Sequence, residues 1–227
     1  ELQSTNAVLG TARNAAIAGG AALGGILVAT VGPGMTLLID AVSFGLAAVL
    51  VITVKPKAQA ITPKSSMWQD LKIGWQAFIS HTWLWVIVLQ FSLIVAAGEA
   101  VFGLIGPAVA RDTMCGAEDW GYIASGFGLG TLLGGLLAMR VRPKHPMRFA
   151  TAMVFTFASV SVALLVAAPL FVVILAALVS GLTGQIFAVL WYTTLQTKIP
   201  AEMLSRVSAY DHLGSIALAP LGIVFAG

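Results

Sequence analysis

The sequence predicts an all-α transmembrane protein, a polytopic helical bundle of about seven spans. Three observations carry that expectation. Of the 227 residues, 59% are hydrophobic and only 9% charged, where a soluble domain carries roughly 45–50% and about 25%. Apolar runs long enough to cross a hydrocarbon core of about 30 Å as helix recur along the chain. The cations gather in alternate connections between those runs. The charge deficit excludes an ordinary water-soluble globule, and the mean hydropathy of +0.96 excludes disorder, which needs low hydrophobicity and high net charge. Helices are the default spanning element because backbone groups in lipid must be bonded within their own segment.

Candidate spans fall at about 7–31, 34–54, 83–106, 120–139, 149–167, 170–191 and 207–227. Pro33, Pro56, Pro63, Pro107, Pro143, Pro146, Pro169 and Pro200 lie between these runs or at their edges, as residues without a backbone donor should. Pro220 lies inside the last run and predicts a kink there. The connection from Lys55 to Thr82 is the longest. Its first part, through Lys64, reads as polar and extended. In its second part Trp68, Leu71, Trp75 and Phe78 recur at helical spacing, which predicts an amphipathic helix lying in the membrane interface. This connection separates two spans from five and is the candidate boundary between two bundles. The chain starts at Glu1 and stops within an apolar run, so a piece of a longer protein is expected.

The cations set the orientation. If the chain alternates, Arg13, Lys55, Lys57, Lys64, Lys72, Arg140, Arg142, Lys144, Arg148, Lys198 and Arg206 share one side. Arg111 stands on the other side, beside Asp112, Glu118 and Asp119. The positive-inside rule makes the first side cytoplasmic. The basic runs are then topology signals and headgroup contacts, and nucleic acid is not an expected partner. The single Cys115 and the scattered His81, His145 and His212 supply no disulfide framework and no ligand-spaced cluster, so no metal or cofactor is expected.

Small residues mark helix contacts. Gly20, Gly24 and Gly25 lie in the first span, with Gly20 and Gly24 on one face. Gly126, Gly130 and Gly134 lie four apart in the fourth. This spacing lets backbones approach closely in lipid. Two readings stay open, tight static packing and a sliding contact between bundles.

These motifs resemble the major facilitator superfamily, in the exporter branch that handles drugs, macrolides and siderophores such as enterobactin. Gly20-Ala21-Ala22-Leu23-Gly24-Gly25 is similar to the Gly-Pro-x-x-Gly-Gly signature of its fifth helix, with Ala21 at the proline position. Leu38-Ile39-Asp40-Ala41-Val42-Ser43-Phe44 looks like the start of its sixth helix. Asp70-Leu71-Lys72-Ile73-Gly74-Trp75 resembles the interfacial helix before its seventh, and Gly126-Phe127-Gly128-Leu129-Gly130 its eighth. Ile199-Pro200-Ala201-Glu202-Met203-Leu204-Ser205-Arg206-Val207 resembles its loop before helix eleven. The basic stretch Arg140-Val141-Arg142-Pro143-Lys144 sits where the family often has a Gly-x-x-x-Asp-Arg loop, without its aspartate.

The resemblance implies a partial major facilitator fold, helices five to eleven of twelve. Residues 1–54 would be the last two helices of the N-terminal bundle, 55–82 a cytoplasmic linker with its interfacial helix, and 83–227 a truncated C-terminal bundle. It also implies a multi-pass protein of the bacterial plasma membrane, an antiporter working in multidrug-type efflux. Helices seven and ten would line the cavity, and helices five, eight and eleven would meet between halves.

Ionisable residues within spans are functional candidates by default. Glu99 shares a helical face with Ser92, Ala96 and Gly103, while Gln90 lies on the opposite face. Glu99 is therefore a candidate proton or cation-coupling group, or else a neutral hydrogen-bonder. Gln185, Tyr192 and Gln196 form one stripe at i, i+7 and i+11. With Ser92 they are candidate substrate-cavity residues, since an amphipathic ligand needs a few polar groups on an apolar wall. Interhelical hydrogen bonding is the alternative. Arg13 and Asp40 are secondary candidates, each near a span edge, where Arg13 can snorkel to the headgroups. Asp211 and His212 read as interface anchors.

The leading expectation is a secondary active exporter of small amphipathic molecules, exchanging protons for substrate by alternating access. Its partners would be the substrate, protons, the bilayer and the remainder of its own chain. The alternatives are a membrane-embedded enzyme and a non-transporting scaffold. The sequence offers no HExxH, paired intramembrane acids or Ser/His dyad for the enzyme.

Overall fold

Apolar runs with few breakers bond their backbones internally, and each regular element among the described residues is a helix. The computed structural model describes residues 2–53 and 66–227, apart from the side chains of 18, 21, 22, 24–26, 28 and 29. In order these are α1 (Leu2–Val31), α2 (Pro33–Thr53), α3 (Met67–Ser80), α4 (Thr82–Ala100), α5 (Gly106–Thr113), α6 (Ala117–Ala138), α7 (Pro146–Met153), α8 (Ala158–Leu165), α9 (Leu170–Lys198), α10 (Ala201–Ile216) and α11 (Ala219–Ala226). The expected extended stretch with Lys55, Lys57 and Lys64 lies outside the described residues.

Among the described residues six helical stretches are long and apolar enough to cross a membrane: Pro33–Thr53, Thr82–Thr113, Ala117–Ala138, Pro146–Leu165, Leu170–Lys198 and Ala201–Ala226. The expected span at 7–31 lies in the 30-residue α1, which is not among the six. Several spans run longer than the sequence predicted. The third continues past 106, because a π turn at Val101–Ile105 joins α4 to α5. Pro107 therefore lies inside the helical run, not at its edge. Proline cannot donate to the carbonyl a turn earlier and its ring crowds that carbonyl. A widened turn just ahead of it removes the conflict. Pro146 instead opens α7, where its missing N–H costs nothing. Pro220 acts as predicted: α10 ends at Ile216 and α11 starts at Ala219.

The chain divides into two compact units. One comprises Glu1–Asn14 and Met67–Gly227, the other Ala15–Ser66. In the second unit α2 has no buried residue, and Leu37, Phe44 and Ile52 are all widely exposed. A helix apolar all round belongs in lipid or among other helices, not in water. Asp40 is exposed on it.

In the first unit α9 is the central helix, with Val173, Ala177, Ile186, Phe187, Leu190, Trp191 and Leu195 buried along it. One apolar cluster joins Leu190, Trp191 and Leu195 to Leu84, Val88 and Val207, and a second joins Val173 and Ala177 to Ile123 and Val160. The glycines of α6 set the closest approach. A Cβ on Gly126 would lie 3.0 Å from the Ile174 carbonyl oxygen, and one on Gly130 or Gly134 would strike the backbone of Leu178 or Leu182. Gly181 answers from α9, facing the Phe127 carbonyl. These glycines thus join α6 to α9 within one unit. A Cβ on Gly20 would meet nothing within 4 Å among the described residues, and the surroundings of Gly24 and Gly25 lie outside the described side chains.

Hydroxyls add a second contact. The single 3-10 turn at Val154–Phe157 links α7 to α8. The Ser180 hydroxyl donates to the Thr156 carbonyl at 2.9 Å and lies 3.2 Å from the Ser159 hydroxyl. Thr156 and Thr183 also bond through their hydroxyls. Such bonds hold spans together in lipid, where burying apolar side chains supplies little force between helices.

The helix expected in the second part of the Lys55–Thr82 connection forms as α3, and it is only half free. In α3, Gly74 and Phe78 are buried. Tyr210 of α10 packs at a tilt against Trp75 and Phe78 and donates its hydroxyl to the Leu71 carbonyl at 3.0 Å. Asp70 pairs with Arg206 at 2.6 Å. Trp68 remains 76% exposed, which suits an apolar ring at a headgroup boundary.

Candidate functional site

The predicted stripe on α9 is divided between two tasks. Asn14 Nδ2 of α1 donates to Gln185 Oε1 at 2.9 Å. Asn6 Nδ2 donates to Gln196 Oε1 at 2.8 Å and to the Thr193 hydroxyl at 3.1 Å. Gly10, midway between the two asparagines, leaves room for the Gln185 amide. Gln185 and Gln196 are therefore engaged in interhelical hydrogen bonds, the alternative that the sequence left open. One turn before Asn6, Gln3 donates to the carbonyls of Ala138 (2.7 Å) and Val141 at the end of α6. The free carbonyls there need such donors.

Tyr192 alone of that stripe's three polar residues lines the open-mouthed cavity between α4, α9 and α10, a space of about 210 Å³. Its walls are aromatic. Phe91 and Phe187 stack with centroids 5.0 Å apart and planes at 4°, and Phe187 stacks on Trp191 at 6.3 Å. Trp83 meets Trp191 edge-on at 5.8 Å. Against these walls sit Asp211, His212 and Ser215. Asp211 is only 5% exposed, and the Trp191 indole N–H donates to its two oxygens at 3.2 and 3.1 Å.

Asp211, read from the sequence as an interface anchor, is thus buried beside a cavity. A signal existed: Phe187 and Trp191 lie four apart and present one aromatic face, and an acid in an apolar span calls for a donor. The asparagines of α1 were also missed. Asn6, Gly10 and Asn14 stand at i, i+4 and i+8, one helical face.

The remaining candidates are not brought together. Glu99 is exposed and does not line the Asp211 cavity. Ser92 is 2% exposed, and its hydroxyl has no hydrogen-bond partner among the described residues. It does not line that cavity either. Gln90 faces the other way, into a separate space beside Val154 and Phe157, which agrees with its expected opposition to Glu99. Arg13 is exposed on α1.

Cations gather at one rim. Lys144 and Arg148 share a recess with Lys198, and Arg142 shares another with Gln3 and Thr193. Lys198 also lies over the Trp83 ring, 5.4 Å from its centroid. The connections after α6 and α9 therefore end together, as their matching charge predicted.

A family model described as transmembrane secretion effector, within the major facilitator superfamily, matches residues 1–222. The chain belongs to that family. No curated protein matches it, and no solved structure does. This major facilitator protein is a multi-pass membrane transporter.

Proposed function

We propose that this transporter exports small amphipathic molecules across the plasma membrane in exchange for protons. The observation that carries the reading is the cavity between α4, α9 and α10, apolar and aromatic on most sides with a few polar groups. An amphipathic solute needs that combination, burial of its apolar surface and a small number of orienting bonds. The cation-rich rim faces the cytoplasm in this reading. Residues 1–54 close the N-terminal bundle, 55–82 link, and 83–227 belong to the C-terminal bundle.

Alternating access needs contacts that form and break. The paired amides Asn6–Gln196 and Asn14–Gln185 suit that use. Amide-to-amide bonds are modest in strength and exchange for water when a gap opens. In this reading they hold the end of the pathway near the cations closed. Glu99, a carboxyl on a spanning helix, is the proton carrier.

The test is efflux from cells or vesicles under an imposed pH gradient, with Glu99→Gln in the full-length protein. The expected result is normal membrane insertion with loss of gradient-driven efflux. Unchanged, fully gradient-dependent efflux removes Glu99 from the coupling. Solute moved inward by the unaltered protein overturns the direction.

A further inference from the structure

Asp211 is a carboxylate with spare capacity. Its hydrogen bonds among the described residues come from one indole N–H shared between its two oxygens. A carboxylate offers about four acceptor sites. The ion pairs among the described residues are Arg111–Asp112 and Arg206–Asp70, so no lysine or arginine there neutralises Asp211. A buried carboxylate that receives one neutral donor is under-satisfied, and this one lines open space beside His212 as well as touching Trp191.

The surroundings of that space suit the hydrocarbon part of a ligand whose charge meets Asp211. Phe91, Phe187, Trp191 and Tyr192 place aromatic rings around it, an apolar wall on which such a body is buried. We infer that the cavity between α4, α9 and α10 binds a monovalent organic cation. A protonated amine donates to Asp211, and its apolar or aromatic body lies against Phe91 and Phe187. His212 flanks the site as a further polar neighbour.

Size limits the ligand. About 210 Å³ is below the roughly 300 Å³ at which pockets for drug-sized molecules begin. The cavity holds an ammonium group with about one ring, and a larger molecule enters by its amine end. Asp211 lies ten residues beyond Ala201, roughly 15 Å along α10 at 1.5 Å per residue.

This inference rests on the export reading for its cavity and names the substrate class of that site. The test is equilibrium binding to the purified full-length protein in detergent, followed by tryptophan fluorescence. The probes are phenethylammonium and the neutral 3-phenylpropanol, which has a similar shape without the charge. The expected result is that the amine binds at least about tenfold more tightly than the alcohol, a preference lost in Asp211→Asn. Phe187→Leu is expected to weaken the amine and leave the ranking intact. Equal affinity of the two probes for the unaltered protein overturns the inference whether or not Asp211→Asn folds. An amine preference that survives in folded Asp211→Asn also overturns it. Efflux of neutral amphipathic solutes without amine binding leaves the export reading standing and removes this one. Amine binding without any efflux does the reverse.

Discussion

The indole of Trp191 holds both oxygens of Asp211, at 3.2 and 3.1 Å, across the contact between α9 and α10. One neutral N–H thereby satisfies part of a buried acid that also lines the cavity. Trp191→Phe keeps the ring stacking and removes the donor. It is expected to destabilise the protein by about 1–3 kcal/mol, the cost of a buried polar group left unmade. Replacing both partners, Trp191→Phe with Asp211→Leu, is expected to recover most of that loss. Thermal unfolding of the singles and the double in detergent reads the coupling.

The α6–α9 contact is limited by backbone, not by side chains that can step aside. Gly130→Ala and Gly134→Ala are each expected to cost about 1–3 kcal/mol, as overpacking does. Gly20→Ala is expected to be neutral or slightly stabilising, because its Cβ meets nothing within 4 Å and alanine is the better helix former. Melting temperatures of the three variants in detergent check the contrast.

The amide pairs of α1 and α9 give a prediction about movement. With Cys115 replaced by serine, cysteines at Asn6 and Gln196 are expected to cross-link with a short thiol reagent. Transport should stop on cross-linking and return on reduction. Transport that continues through the cross-link rules out separation of these two residues during the cycle.

The hydroxyl contact of Ser180 with Thr156 and Ser159 should be worth little more than other bonds of its kind. Ser180→Ala is expected to lose about 0.6 kcal/mol, the average for hydrogen bonds between spans, and at most about 1.7 kcal/mol. Unfolding in detergent or bicelles measures it.

Ala167 turns the chain between α8 and α9 with φ at +49°. A left-handed backbone costs a residue with a Cβ roughly 1–2 kcal/mol, and glycine escapes that cost. Ala167→Gly is expected to stabilise the protein by up to about 1 kcal/mol, the balance being lost to the freer unfolded chain. A raised melting temperature is the check.

Composition and apolar run length determined the helices, because a segment without charges has nowhere to be but lipid or another helix. The cations determined which connections share a rim, since a lysine or arginine crosses the hydrocarbon core at high cost. The glycines of α6 announced a close contact, and Pro220 a break. What the sequence left open was partner choice. Gln185 reads equally as a cavity residue or as a partner for another helix, and only Asn14, 171 positions away in the chain, decides between them. Asp211 reads as an anchor until α9 lays Trp191 against it. A local pattern fixes which residues share a helical face. The rotation of that face toward one neighbour or another depends on contacts between distant segments, and those exist only once the bundle has packed.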